Sequence, residues 1–581
     1  VTITEALKLV QKVPPDAISY DVLLACGFTP LHLQTLLRGH LQQRIRERKA
    51  SLKTGLYGDL TGTIRNAAEQ PLQGLAVVVE WSDLDPRLGF REGGRWGTTV
   101  IDDIVRSVEG SLRRISAALN SVPAGTRTVV VLPTLPFPVL FHTPGSLAGA
   151  AELRIQELVS TFATEAAGRK GTFVLNAQWL AEHSPPASRY DFKSDIITGL
   201  PYTLTHADAV AKGVAALLAP AAPKKGIITD LDDTLWFGIV GEVGPENVSW
   251  DLASHRYLHG LYQRLLAALA EEGVLVGVAS KNDPAVATEA LSRPDCYLPV
   301  SKIYPVEIHW NAKSSSVAKI LKTWNIAADT VVFVDDSPME LAEVEAEHPG
   351  IECILFPKDD YAAGYRMLRS IRDKFGKERV SDDDAIRLES IRRGAEFQEA
   401  ASEGAASDEF LEAADATISI DFQAPLDDAR VLELVNKTNQ FNLNGVRYTE
   451  ADWQRINSQP GAFTIAVAYE DKFGPLGKIA VLQGHSNSNA LHVNAWVMSC
   501  RAFARRIEHQ CMKALFEKFG AERVVLNYTQ TPRNGPTRDF LESVTGSTPQ
   551  GAAEITQEAF QSACPPLYHK VLEIKRSQTN G

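Results

Sequence analysis

The chain has 581 residues, 44% hydrophobic and 22% charged, too many for one ordinary core and consistent with three or four globular domains. A formal net charge of −12, with no Lys/Arg-rich arm beyond a short RIRERK run, argues against nucleic acid as a partner. No opening segment reads as a signal peptide, no apolar run reaches the roughly 18 residues of a membrane helix, and the six cysteines show no CxxC, so a reduced, cytoplasmic protein without zinc site or disulfide framework is expected.

In chain order, residues 1–45 carry ITEALKLVQKV, a Pro-Pro break and LHLQTLLRGHLQQRIRERK, with apolar positions three and four apart, and predict a helical lead-in. Between 46 and 220, apolar runs such as LAVVVEW and TVVVLPTLPF alternate with helical stretches such as AGAAELRIQELVSTFATEAAGR, the βαβ rhythm of a parallel sheet. After the Ala/Pro-rich LLAPAAPKK a second alternation begins. There GIITDLD, VLVGVAS, TVVFVDD and IECILF predict the strands of another α/β domain over 224–375. The charged, Ala/Glu-rich residues 376–415 predict connecting helices rather than core. From 416 to 576, ISIDF, FTIAVAYED, KIAVLQGH and ALHVNAWVM predict strands ahead of a helix over RRIEHQCMKALFEKFG, an α+β domain.

The stretch KKGIITDLDDTLWFGIVGE drives an apolar run into Asp230, Asp232 and Asp233. Carboxylates this close repel, so a positive charge is expected among them. A calcium loop would need Gly at its sixth and Glu at its twelfth position, and Leu235 and Gly241 stand there. GIITD predicts a buried strand whose carboxyl end carries the acids, the crevice where open α/β sheets bind ligands. One carboxylate there can attack phosphorus while another, two residues on, protonates the leaving oxygen, with a divalent cation relieving their repulsion. Downstream, Ser280 ends a second strand, Lys313 opens a helix with a point charge for phosphate, and Asp335 and Asp336 end a third strand.

That order of strand-DxDxT, strand-Ser, Lys and strand-DD resembles the haloacid dehalogenase superfamily of aspartyl phosphotransferases. The resemblance implies Asp230 as nucleophile and Asp232 as general acid and then base. It further implies Ser280 and Lys313 on the phosphate, and Mg²⁺ held by Asp230, Asp232 through its carbonyl, Asp336 and Asp335. About 45 residues separate the first motif from Ser280 and about 30 separate Ser280 from Lys313, which leaves no room for an inserted cap domain. Asp233 is expected to be a structural turn residue.

DLDDTLWFGIVGE, NKTNQFNLNGVRYTEADW, DKFGPLGKIAV and MSCRAFARRIE together resemble the FkbH-like proteins over residues 224–576. That likeness implies a phosphatase acting on a small phosphorylated acyl donor such as 1,3-bisphosphoglycerate, with transfer of the glyceryl group to an acyl carrier protein in polyketide-type biosynthesis. Its second half implies a GNAT-like acyltransferase fold. Ala504 and Arg506 stand where that fold's coenzyme A turn has glycines, so coenzyme A is not expected, while Arg501, Arg505 and Arg506 are candidates for attracting a carrier or its phosphate. Cys500 is either a thioester-forming nucleophile or a small buried hydrophobe, and Cys511 is core. Asn439, Gln440 and Asn442 either tie loops together or line the acyl pocket. In the first α/β domain, GLYGDLTGTI and PYTLTHADAVAKG resemble blocks of the SGNH hydrolases, but Leu60 occupies the nucleophile's place despite Thr61, Thr63 and His206, so a degenerate hydrolase is expected. The fold class is therefore α/β multidomain: SGNH-like, Rossmann-like haloacid dehalogenase without a cap, and GNAT-like α+β. A plain phosphomonoesterase and a noncatalytic scaffold are the rival readings.

Overall fold

The computed structural model describes residues 1–14, 16–91, 98–138, 143–380, 384, 386–400, 408–472, 474–487, 490–499, 502, 503 and 505–574, apart from the side chains of 98, 99, 394–400, 409 and 410. Cys500, Arg501 and Ala504 lie outside the described residues. The chain divides into two units, Val1–Ala221 with Thr449–Gln454, and Ala222–Tyr448 with Arg455–Gly581. It is mixed α/β, with parallel sheets in both units.

The first unit holds β1 (Ser19–Ala25), β2 (Lys49–Thr54), β3 (Gly74–Val78), β4 (Arg127–Val131) and β5 (Thr172–Val174), all parallel in the order β2-β1-β3-β4-β5. Alternate side chains of β1 enter opposite cores: Val22 and Leu24 pack on one face, Leu23 and Ala25 on the other. Burial on both faces explains why these strands are continuous apolar runs rather than alternating ones. β1 corrects the helical lead-in expected over 1–45. Helices Ile3–Gln11 and Leu31–Arg44 are present there, but the DVLLA run between them is a strand with partners on both sides.

The second unit opens with β6 (Gly226–Thr229), β7 (Leu275–Ser280), β8 (Ile303–Ile308), β9 (Val331–Asp335) and β10 (Glu352–Leu355), parallel in the order β10-β9-β6-β7-β8. The chain runs outward from β6 in both directions, so β6 is the switch point at which such sheets open a crevice at their carboxyl ends. On one face the indole of Trp324, 2% exposed, lies against Gly226 and Gly277 on neighbouring strands. A Cβ at either glycine would stand 2.5 or 2.9 Å from that ring, closer than side chains tolerate. Helix Arg387–Ala400 is more than a connector, since Ile391 is buried in this same core with Leu388 packed against it.

The remainder is a sheet of β11 (Thr417–Asp421), β12 (Phe441–Asn442), β13 (Ala462–Asp471), β14 (Gly474–Ser486), β15 (Ala490–Met498), β16 (Arg523–Leu526), β17 (Ala553–Thr556) and β18 (Lys570–Glu573). Its path is β17-β16-β15-β14-β13-β11-β18, with β12 beside β15. Helix Ile507–Phe519 buries Cys511, Met512 and Leu515 in its core. No described helix is long and apolar enough to cross a membrane.

Candidate active site

Register alone gathers the acids. β6 and β9 pair from Gly226↔Val331 to Thr229↔Val334, and the amide of Asp230 donates to Val334 O at 3.0 Å, so Asp230 and Asp335 leave adjacent strands side by side, one spacing of about 4.8 Å apart. On the other flank Thr229 is opposite Val278, which brings Ser280 to the same rim. Asp230 is 5% exposed, Ser280 2% and Asp335 fully buried.

Two buried carboxylates need a cation, and Lys313 supplies it. Lys313 is the first residue of helix Lys313–Trp324, 4% exposed, with Nζ 3.0 Å from Asp230 Oδ1 and 2.6 Å from Asp335 Oδ2. Burial raises the Asp230 and Asp335 carboxyls above the usual range despite the pull of Lys313, and the two acids together hold the Lys313 ammonium in its charged form. The Asp230 carboxylate accepts from the Ser280 hydroxyl and the Leu231 amide. Its Oδ1 lacks a well-aligned hydrogen-bond donor, with Lys313 as its neighbouring cation.

Asp232 is half-buried and held by three donors: Trp236 Nε1 at 2.9 Å and the Val240 amide at 3.0 Å on Oδ1, and Asn282 Nδ2 at 3.1 Å on Oδ2. Asn282 also donates to Ser280 Oγ at 3.1 Å, tying the two positions together. The donors on Oδ1 come from the segment after the acids, where Phe237 pairs with Ser249 around a short helix, Val240–Val243. Asp233 adopts φ +52°, a left-handed conformation unusual for a residue with a Cβ, and its carboxylate accepts from the Gly238 amide at 2.9 Å. Lys358, in the loop after β10, donates to Asp233 Oδ2 at 2.7 Å and to Asp336 Oδ2 at 2.9 Å.

Carboxylate oxygens of Asp230, Asp335 and Asp336 lie within 4.8 Å of one another. An all-oxygen donor set suits a hard divalent cation such as Mg²⁺, which takes one or two carboxylates and keeps waters. Lys313 alone leaves this cluster of three carboxylates with an excess of negative charge, which a divalent cation would neutralise.

Sequence reasoning found Asp230, Asp232, Ser280, Lys313, Asp335 and Asp336, and all six surround this one rim. It missed Asn282 and Lys358. The available signal was position, since Asn282 follows Ser280 by two residues and Lys358 follows the fourth strand tip. The other candidates fall elsewhere. Asn442 is buried and ties a turn: its Oδ1 accepts from the Asn444 and Gly445 amides, and its Nδ2 donates to Thr438 O. Asn439 accepts from Arg447 and Gln440 donates to Asn325, and both line a cleft described below. Arg505 is turned inward, 3% exposed, with Nε 3.4 Å from buried Asp471, so it is not the surface cation expected. Arg506 pairs with Asp408 at 2.6 Å and donates to Pro566 O.

In the first unit Leu60 opens helix Leu60–Ala67 and Thr63 donates to Asp59 O. His206 does not bond these threonines. Thr134 Oγ1 donates to buried Glu80 at 2.5 Å, so it accepts from His206 Nε2 at 2.8 Å, while His206 Nδ1 accepts from Ser184 Oγ at 2.9 Å. Burial pushes the His206 imidazole down to about 3.

No family model matches the chain, and no curated protein does. Among solved structures, the N-terminal part of BF1531 from Bacteroides fragilis, which contains a phosphatase domain and is complexed with Mg, aligns at TM-score 0.51 and 18% identity over 63% of this chain and 98% of that one. At that identity the likeness concerns fold alone. An extracellular lipase from Streptomyces rimosus aligns over 36% of this chain and 100% of its own at 13% identity, with a TM-score of 0.24 that carries no argument.

Proposed function

We propose that the chain is a Mg²⁺-dependent phosphatase or phosphotransferase that uses Asp230 as its nucleophile. The observation that carries this reading is the buried Asp230–Lys313–Asp335 arrangement at the carboxyl ends of two adjacent strands. Asp230 attacks phosphorus, the bond to the leaving oxygen breaks, and Asp232 donates a proton to that oxygen. Water then attacks the aspartyl-phosphate at phosphorus while Asp232 takes its proton, which returns free Asp230 and releases phosphate. Lys313 and Ser280 hold the phosphoryl oxygens, and Asn282 aligns Ser280 with Asp232. When bound, Mg²⁺ supplies charge neutralisation to the phosphoryl oxygens and to the acids that hold it, Asp230, Asp335 and Asp336.

The finer reading rests on the sequence likeness to FkbH-like proteins. In it the donor is a small phosphorylated acyl compound such as 1,3-bisphosphoglycerate, and a carrier protein accepts the glyceryl group. The third sheet acts as a GNAT-like acyltransferase with Cys500 as candidate thioester site, and the first unit is a degenerate SGNH-like domain. Two measurements test the whole. Beryllium fluoride with Mg²⁺ is expected to form an adduct on Asp230 that Asp230→Asn cannot form; wild type forming none would overturn the nucleophile. Incubation with 1,3-bisphosphoglycerate and a carrier protein is expected to release phosphate and add a glyceryl mass to the carrier. Phosphate release without that mass leaves a plain phosphomonoesterase.

A further inference from the structure

The second unit contains a cleft of about 470 Å³ that the phosphoryl site does not use. Its position follows from the strands. Lys225 and Leu275 line it, and they stand at the amino ends of β6 and β7, whose carboxyl ends carry Asp230 and Ser280. Five residues of extended chain separate each pair, about 16 Å. One small molecule therefore cannot occupy both places.

The cleft's charge is opposite to that of the chain. Six of its described lining residues are cationic, Lys225, Arg387, Arg430, Lys437, Arg447 and Arg533, against two carboxylates, Asp329 and Glu433. Arg387 is paired with buried Asp384 behind the wall, and the remaining excess of positive charge sits in a molecule whose formal net charge is −12. Glu433 meets both Arg430 and Lys437 at 2.9 Å, one carboxylate shared by two cations, which hold its carboxyl down to about 2. Arg447 spends donors on Val435 O and Thr438 O as well as Asn439 Oδ1, so it rigidifies the wall. Arg533 is exposed. Low-dielectric walls concentrate such a field, and here Trp324, Leu434 and Met498 supply them. Apolar walls with a few converging polar groups, in the 300–1,000 Å³ range, are the common form of a small-molecule site.

We propose that this cleft binds a small organic anion, one bearing a phosphate or carboxylate on a carbon body, independently of the phosphoryl site. The test uses the full-length, metal-free Lys313→Met protein, in which the phosphoryl site has lost its anion anchor, titrated calorimetrically with 3-phosphoglycerate. Saturable binding of one equivalent is expected, weakened at least tenfold by Arg533→Gln combined with Lys437→Gln. The control pair Lys513→Gln with Lys518→Gln, on helix Ile507–Phe519, is expected to leave it unchanged. Absence of binding would overturn the proposal, as would binding that the cleft pair leaves intact or that the control pair weakens equally. If the double variant does not fold, Arg533→Gln alone, at an exposed position, decides with an expected loss of at least threefold. In otherwise wild-type protein, Arg533→Gln should leave phosphate release at the opposite end of the sheet unaltered, which separates failure of this inference from failure of the phosphatase reading.

Discussion

Replacing Lys313 by methionine keeps the shape of the buried side chain and removes its charge. Asp230 and Asp335, 5% and 0% exposed, would then face each other with no counterion. Breaking a buried pair this way costs about 3–5 kcal/mol, because the stranded charge has no solvent. Protonation sets a ceiling on that cost. Taking up one proton restores the site's original net charge of −1, and moving a proton onto a carboxyl of ordinary pKa near 3.9 costs about 1.4 kcal/mol per pH unit above that value. The ceiling is about 5 kcal/mol at pH 7.5 and about 2 kcal/mol at pH 5.5. The folded variant binds one more proton than its unfolded chain, and the wild type does the same below about pH 7, to which burial raises its Asp230 carboxyl, so the deficit against wild type grows as pH rises above about 7. Urea denaturation at these two pH values and above them, following the transition of the second unit, measures it. Mg²⁺ should restore the variant more than the wild type. A deficit independent of pH above about 7, or a variant as stable as wild type at pH 7.5, would refute the counterion argument.

Three further outcomes are expected. Lys358→Met should bind Mn²⁺ roughly tenfold more tightly by electron paramagnetic resonance, since removing a cation paired with Asp336 raises the negative potential at the acidic triad by about 1.4 kcal/mol per unit charge; unchanged affinity would disconnect Lys358 from the site. Asn282→Ala should lower kcat by roughly ten- to a hundredfold with little change in KM, because it frees both Asp232 and Ser280 from one shared donor. His206 is held down to about 3 against 6.5 when unfolded, so the first unit's stability is full above pH 6.5 and falls as pH drops towards 3. The loss is about 2 kcal/mol at pH 5, and His206→Gln should flatten that slope in urea titrations.

The four acids and the hydroxyl of the phosphoryl rim were legible because parallel strands buried on both faces are continuous apolar runs, and the polar residues that follow such a run lie at the carboxyl end of the sheet, while Lys313 was legible as the charge that opens the helix Lys313–Trp324. Asn282 and Lys358 sit in loops, where a lone amide or ammonium has no periodic context to distinguish it. β1 was hidden by its neighbours: a seven-residue strand between two helices shows the same apolar density as a helical hairpin, and only its pairing with β2 and β3 separates them. Arg505 was misjudged because its inward turn towards Asp471, 34 residues earlier, is set by tertiary packing. The cleft draws its lining from strand ends, from helices Lys313–Trp324, Arg387–Ala400 and Ala429–Lys437, and from several loops, spread over 312 positions from Ala222 to Arg533, and no local pattern encodes such a convergence.

The seating of Trp324 has a consequence for how this chain can vary. Its indole blankets two positions on adjoining strands and at the same time forms part of the cleft wall. A saturation-mutagenesis map of the sheet would show Gly226 and Gly277 as paired blanks intolerant of even alanine, and a compensating smaller residue at 324 would reopen both while reshaping the floor on which an anion would rest. Drift in the fold's interior and drift in ligand preference are thereby yoked to a single ring.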